Sequence, residues 1–97
     1  MSLKDRVEEQ IDNFSWNVYA IRSNRGITQY KLAEMAGISH VSVSRIESSN
    51  EGCNMWTALC IADALDVDIT SLFNERVELG LLRPYMGRPT KRRKKGA

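Results

Sequence analysis

The stretch that decides the fold is Thr28-Gln-Tyr-Lys-Leu-Ala-Glu-Met-Ala-Gly-Ile-Ser-His-Val-Ser-Val-Ser-Arg-Ile-Glu47. Thr28 can cap a helix over residues 29–36 by accepting a backbone N–H. Gly37 is the residue type that tolerates the left-handed conformation that ends a helix. Ser39 is a second N-cap residue and opens a second helix. The stretch therefore predicts two short helices joined by a tight turn.

Apolar residues recur at helical spacing in both predicted helices, so each helix has one face for a core. Leu32 and Ala33 lie on that face of the first helix, and Val43 and Ile46 lie on that face of the second. Turning about 100° per residue from the buried face, four side chains point most directly outward: Val41, Ser44, Arg45 and Ser48. A helix-turn-helix with such a polar face lays its second helix in the DNA major groove, which makes DNA binding the leading hypothesis.

A longer set of residues matches a known pattern: Ile21-Arg22, Arg25-Gly26-Ile27-Thr28-Gln29, Leu32-Ala33, Gly37-Ile38-Ser39, Val43-Ser44-Arg45-Ile46-Glu47, Leu59, Ile61-Ala62, Leu65, Val67 and Leu72-Phe73. This set resembles the phage repressor and Cro-type helix-turn-helix family, also called XRE-like. The resemblance covers roughly residues 14–73. It implies an all-α fold, a compact five-helix lambda-repressor-like bundle. The chain departs from the family pattern after the third helix. Many members carry Gly-Lys or Gly-Arg followed by Pro there, whereas this chain has Ser48-Ser-Asn-Glu-Gly-Cys-Asn54.

The resemblance and the outward geometry together predict the DNA contacts. Base contacts are expected on the recognition helix, residues 39–48, from His40, Val41, Ser44 and Arg45. Phosphate contacts are expected from Thr28, Gln29, Ser39, Ser42 and Ser48. By resemblance, Gln29 either binds a DNA phosphate or packs beside the base-reading helix. Arg22 and Glu47 match a family pair that often forms an internal ion bridge from the first helix to the end of the third.

Each base-reading residue type suits a particular partner. Val41 can contact a thymine methyl group. Arg45 can hydrogen-bond guanine or bind a phosphate, and His40 can also make either of these two polar contacts. A good bidentate base contact discriminates by about 1–3 kcal/mol. A single helix reads few base pairs, so we expect a homodimer on double-stranded DNA, with half-sites about one helical turn apart.

Composition bounds the remaining classes of protein. The 97 residues, 42% of them apolar, suit one small domain. The charged N-terminus lacks a signal region and no apolar run is long enough to span a membrane, so a cytoplasmic protein is expected. Cys53 and Cys60 are interpreted as reduced thiols. The only histidine is His40, and no nucleophile–base pair, phosphate loop or metal-ligand cluster is visible, so neither an enzyme nor a cofactor or metal site is expected.

The net charge of +2 is distributed unevenly along the chain. Residues 1–82 hold seven Lys/Arg against twelve Asp/Glu, a net charge of −5, whereas residues 83–97 hold seven Lys/Arg and no acid, a net charge of +7. Such a tail is typical of a disordered segment that binds a polyanion. Its DNA contacts are expected from Arg88, Lys91, Arg92, Arg93, Lys94 and Lys95.

The centre of this tail, Gly87-Arg88-Pro89 followed by a basic run, resembles the core of an AT-hook, a peptide that binds the minor groove. The match is partial because Met86 stands where the hook has an arginine. Three roles therefore stay open for the tail: insertion of Arg88 into the minor groove, plain attraction to phosphates, or no role in DNA binding.

The sequence divides into an N-terminal helical extension (1–13), the helix-turn-helix domain (14–73), an apolar segment (74–82) and the basic tail (83–97). An apolar stripe runs from the extension into the first helix: Leu3, Val7, Ile11, Phe14, Val18 and Ile21. It predicts either one long helix packed on its own domain or a helix that also pairs with a second subunit. The apolar segment is interpreted as a dimer contact or as packing back on the domain.

Two shorter helices are expected in the second half of the chain. One spans Trp56–Leu65, with Leu59, Ala62 and Leu65 facing the core. The other spans Ile69–Phe73, and Asp68 can cap it. The runner-up function is an antitoxin-like or anti-repressor module that binds a protein partner, because such proteins also use this fold.

Overall fold

The structure is a computed structural model that describes residues 1–49 and 52–77. Of Ser49 it describes the backbone alone. In these residues the chain forms five α-helices: α1 (Leu3–Asn24), α2 (Gln29–Ala36), α3 (His40–Ser49), α4 (Met55–Leu65) and α5 (Ile69–Phe73). The predicted all-α, five-helix bundle is confirmed. The basic tail, with Arg88 and the lysines and arginines after it, lies outside the described residues, as does the segment 78–82.

Side-chain caps set the helix ends around the turn between α2 and α3. Thr28 Oγ1 accepts from the backbone N–H of Lys31 at 2.9 Å, as predicted. Gly37 ends α2 in the left-handed conformation, with φ at 73°, a backbone geometry that glycine adopts at little cost. Ser39 Oγ accepts from Ser42 N at 3.1 Å. Ser39 is therefore the N-cap, as predicted, and α3 is shifted by one residue at each end from the expected range 39–48.

The core lies where the five helices meet, and its largest fully buried apolar side chains are Phe14, Val18, Leu32, Val43, Ile61, Leu65 and Leu72. The rings of Phe14 and Phe73 stack with centroids 5.0 Å apart, which joins α1 to α5. Burying one such side chain stabilises the fold by about 1.5–3 kcal/mol relative to leaving it exposed. These side chains hold α2 and α3 in fixed positions on the rest of the bundle.

One core prediction is wrong. Leu59 is 48% exposed, whereas Ala58 and Ile61 are buried. The inner face of α4 is formed by Ala58, Ile61, Ala62 and Leu65, which recur at i, i+3, i+4 and i+7. Leu59 lies about 100° away from Ala58 around the helix axis, so it falls outside this stripe.

The first helix is long, as expected, but only its second part packs on the domain. Residues 1–10 are all exposed, with Leu3 at 69% and Val7 at 43%. Packing starts at Ile11, whose side chain lies 3.7 Å from the position that a Cβ on Gly52 would take. Packing on its own domain is therefore the wrong interpretation for Leu3 and Val7, because helices α2–α5 do not extend that far along α1 in the described part of the chain.

Buried asparagine amides on α1 hold the segment that follows α5. Asn17, fully buried, donates from Nδ2 to the carbonyl oxygens of Leu72 and Glu75 at 3.0 Å each and accepts from Val77 N at 2.8 Å. Asn13, one turn earlier, donates to two backbone carbonyls at the end of α5 at 2.8 and 3.3 Å. The first residues of the apolar segment 74–82 therefore pack back on α1.

The two cysteines, Cys53 and Cys60, are free thiols in the structure. Desolvation raises the pKa of the Cys53 thiol. Across residues 1–49 and 52–77, no helix is both long and apolar enough to cross a membrane. The same part of the chain holds no group of three or more His, Cys, Asp or Glu side chains placed to bind a metal ion.

Candidate nucleic-acid interface

The recognition helix α3 has two opposite faces. Val43 and Ile46 are 0% and 3% exposed and pack in the core. Val41 is 58% exposed, and Arg45 and Ser48 are also exposed. The outward direction inferred from the 3.6-residue period therefore holds for Val41, Arg45 and Ser48, while Ser44, beside them, is half-buried. An exposed aliphatic group next to an exposed guanidinium is a surface that fits base edges and phosphates.

An aromatic stack joins the starts of α2 and α3. The rings of Tyr30 and His40 lie 3.8 Å apart at an angle of 5°, and Tyr30 is 69% exposed. His40 is therefore oriented by a neighbour that the sequence reasoning missed. The one available signal was an aromatic residue directly after Gln29, in the first turn of a helix whose inner face starts at Leu32. Tyr30 belongs with His40 in the candidate interface.

An ion pair connects α1 to the end of α3. Arg22 donates from Nε and Nη2 to the two carboxylate oxygens of Glu47 at 2.7 and 2.9 Å, and from Nη1 to Ile27 O at 2.8 Å. Their side chains are only 13% and 6% exposed. The hydrogen bond to Glu47, with the attraction between the two charges, raises the pKa of Arg22 further above its ordinary value. This bidentate pair keeps the guanidinium charged and fixes the angle of α3.

Gln29 joins the same cluster. Its Nε2 donates to Glu47 Oε1 at 3.0 Å. Of the two roles expected for Gln29, the structure forms the packing contact beside the recognition helix. Gln29 thus positions α2 against the end of α3, and a phosphate contact by this residue stays a prediction.

The hydroxyl groups expected at phosphates have different hydrogen bonds within the protein. Thr28 and Ser39 each accept from a backbone N–H, so the cap itself uses neither hydroxyl hydrogen. The Ser39 and Ser42 hydroxyls also bond to each other at 3.0 Å, so one of these two hydrogens is already used. Ser48 donates to Ser44 O at 2.8 Å. Because a phosphate only accepts, Ser48 must break that bond to bind one.

The family follows from a comparison with known proteins. A helix-turn-helix family model matches residues 18–72, which includes all of α2, α3 and α4 and most of α5. The chain belongs to the XRE-like helix-turn-helix family. The extension 1–13 precedes the matched region, which begins inside α1.

Two relatives resemble this XRE-like chain beyond the matched region. Both are named uncharacterized HTH-type transcriptional regulators, one from Rickettsia prowazekii (strain Madrid E) and one from Rickettsia conorii. Each is 26% identical over 85 residues, which is 87% of this chain. The chain spans 65% of the length of the first relative and 68% of the second.

The helix ends at the interface of this family member provide the polar groups for a phosphate. The N-termini of α2 and α3 leave backbone N–H groups without helical partners, next to Thr28 and Ser39. The helix dipole adds partial positive charge at both ends. Two helix N-termini with hydroxyl caps therefore lie beside the outward face of α3, an arrangement suited to anions of the DNA backbone.

Proposed function

We propose that the chain is a sequence-specific DNA-binding transcriptional regulator that places α3 in the major groove. The observation that carries the proposal is the separation of the two faces of α3. Val43, Ile46 and Glu47 anchor the helix, and Val41 and Arg45 project from it. Membership of the helix-turn-helix family and the names of the two relatives support the same function.

In this proposal the recognition helix reads bases through three side chains. Val41 contacts a thymine methyl, and Arg45 bonds guanine or a phosphate. His40 contacts DNA with its ring orientation set by Tyr30. Thr28 and Ser39 bind phosphates with the hydroxyl hydrogens that their caps do not use. Ser44 and Ser42 contribute smaller polar contacts at the edge of this surface.

Selection of bound fragments from a random DNA library tests the function directly. The full chain should enrich one sequence motif with two-fold symmetry, and the variant Val41→Ala/Arg45→Ala should lose that enrichment while keeping its fold. Both side chains project outward, so circular dichroism should show unchanged helix content. Recovery of random sequence by the unchanged chain would overturn the proposal.

We also propose that the regulator acts as a repressor-type homodimer and that the second copy packs on the start of α4. Met55, Trp56 and Leu59 are 74%, 73% and 48% exposed, side by side on this helix. Interfaces between copies are enriched in such aromatic and methionine side chains. Trp56→Ala should shift the chain toward monomer in sedimentation equilibrium. Leu3→Ala, which removes an equally exposed side chain at the far end of α1, should leave the dimer intact.

The basic tail supplies phosphate attraction that the acidic body lacks. If residues 83–97 neutralise about five phosphates, log K falls with log salt by a slope of about −4.5. A chain that ends at Leu82 should therefore bind the same site more weakly and with a shallower slope. A fluorescence anisotropy titration at several salt concentrations measures both. Equal slopes would remove the tail from the DNA contact.

A second candidate function is that of an antitoxin-like or anti-repressor module. The observation that favours it is the exposure of Leu3 and Val7 on a part of α1 that the bundle does not cover. Affinity purification of the full chain from its source decides between the two: a stoichiometric second chain, lost in Leu3→Ser/Val7→Ser, favours the protein-binding module.

A further inference from the structure

One side of the first part of α1 carries a stripe of carboxylates. They recur at i, i+3, i+4 and i+7, which places them on one helix face: Asp5, Glu8, Glu9 and Asp12. Asp5, Glu8 and Glu9 are exposed and Asp12 is half-buried. Lys4 and Arg6 flank the stripe, so the first four turns remain net acidic. This face is on the opposite side of α1 from Leu3 and Val7.

The C-terminal part of the chain leaves the described structure on the same face. Trp16 continues the stripe, one turn after Asp12, and its Nε1 donates to Val77 O at 2.7 Å. Arg76 lines an open groove together with the four carboxylates of the stripe. The chain that follows Val77 therefore starts beside the acidic stripe, with one cation of the preceding segment already at its edge.

The residues after Val77 have the charge and the reach to occupy this face. Residues 83–97 carry seven Lys/Arg and no acid. From Val77 to Lys91 there are 14 residues, and a random coil of that length would have a root-mean-square span of about 20 Å. The helix rises by about 17 Å between Trp16 and Asp5. The basic run thus reaches the whole stripe from its attachment point.

We propose that the basic segment 83–95 docks on the acidic stripe of α1 in the same molecule. Attachment at Val77 gives it an effective concentration in the millimolar range, which a second copy does not reach at ordinary protein concentrations. Cations held by α1 are withdrawn from phosphates, so the tail exchanges between the helix and DNA. That consequence rests on the proposed function, whereas the docking does not.

A spin label at position 90 tests the docking without any DNA. The label is attached to Thr90→Cys in a full chain that also carries Cys53→Ser and Cys60→Ser, and amide signals are compared with the label oxidised and reduced. The largest loss of signal should fall on residues 3–12 of α1, and α2 should keep its signals. Salt at about 1 M, where the Debye length is about 3 Å, should restore the α1 signals.

A matched pair of variants shows which charges are needed. Glu8→Gln/Glu9→Gln/Asp12→Asn should abolish the signal loss on α1. Glu34→Gln/Asp66→Asn/Asp68→Asn changes the net charge by the same amount at sites away from the stripe and should retain it. Circular dichroism and the spread of amide signals establish that both variants are folded.

Three results would overturn the proposal. The first is that the α1 signals of the spin-labelled chain survive at low salt. The second is that the signal loss on α1 disappears equally in both charge variants. The third is a signal loss in a mixture of spin-labelled chains without nitrogen-15 and unlabelled chains with nitrogen-15, which would assign the tail to a second copy. DNA binding does not enter any of these measurements, so failure here leaves the proposed function standing.

Discussion

The inner and outer faces of α3 differ in what holds their side chains. On the inner face, Ile46 is 3% exposed and Glu47 accepts hydrogen bonds from both Arg22 and Gln29. On the outer face, Val41 is 58% exposed and Arg45 is also exposed. One helix of ten residues therefore carries two sets of side chains with separate tasks. Substitutions on the inner face should change stability, and those on the outer face should change DNA affinity.

The largest expected effect is on the inner face. Glu47→Ala leaves the Arg22 guanidinium without its carboxylate in a site where the side chain is 13% exposed. Breaking such a pair costs about 3–5 kcal/mol of unfolding free energy. Ser48→Ala, one residue along and exposed, should change stability by less than about 0.5 kcal/mol. Thermal and denaturant unfolding of the two variants provides the comparison.

The contrast between the faces fails if Glu47→Ala and Ser48→Ala have nearly the same unfolding free energy. Equal melting temperatures for Glu47→Ala and Ser48→Ala would show that the ion pair does not hold the end of α3. Glu47→Gln sharpens the result because it keeps the shape and removes the charge. The melting temperature of Glu47→Gln should lie between those of the natural chain and Glu47→Ala.

The next effect is on the outer face. Arg45→Ala should weaken binding to the selected DNA site by about 1–3 kcal/mol and lower the melting temperature much less than Glu47→Ala does. If Arg45 bonds guanine, specificity relaxes at one base pair; if it clamps a phosphate, binding weakens uniformly and the salt slope falls by about one. Binding titrations on the selected site and its single-base variants, at two salt concentrations, distinguish these contacts. A loss of stability as large as that of Glu47→Ala would show that Arg45 acts mainly in the fold.

The smallest effects come from shortening one aliphatic side chain on each face. Ile46→Val should cost about 0.5–1.5 kcal/mol of stability and leave the affinity of the folded protein unchanged. Val41→Ala should do the reverse, with a loss of about 1 kcal/mol in binding from the removed methyl groups. Unfolding curves and anisotropy titrations on both variants complete the test. If the two variants changed stability and DNA affinity in the same way, the two faces of α3 would be coupled.

Much of the fold could be predicted because its signals are local. The cap at Thr28 and the left-handed turn at Gly37 depend on contacts within three to five residues of the chain. The buried face of α3, with Val43 and Ile46, follows from the helix period alone. The Arg22–Glu47 pair spans 25 residues, and it was expected from the family resemblance and not from local spacing.

The features that the sequence did not predict correctly have a common physical cause. They depend on how separate helices pack against each other. The stack of Tyr30 on His40 requires the angle between α2 and α3, which spacing within either helix does not contain. The sequence predicts a core face with Leu59, Ala62 and Leu65, which are three residues apart. The true inner stripe uses Ala58, and the apolar pattern of an alanine-rich helix fits either phase. The role of Asn17 depends on backbone atoms 55–60 residues away.

That distance along the chain has a consequence for synthesis. Asn17 is made first, and its three backbone partners follow 55–60 residues later. At about 5–20 residues per second, the ribosome adds 60 residues in about 3–12 s. During that interval the three backbone partners of the side-chain amide have not yet been made, so its native hydrogen bonds cannot form. Docking of residues 72–77 on α1 is therefore a late event in the synthesis of the chain.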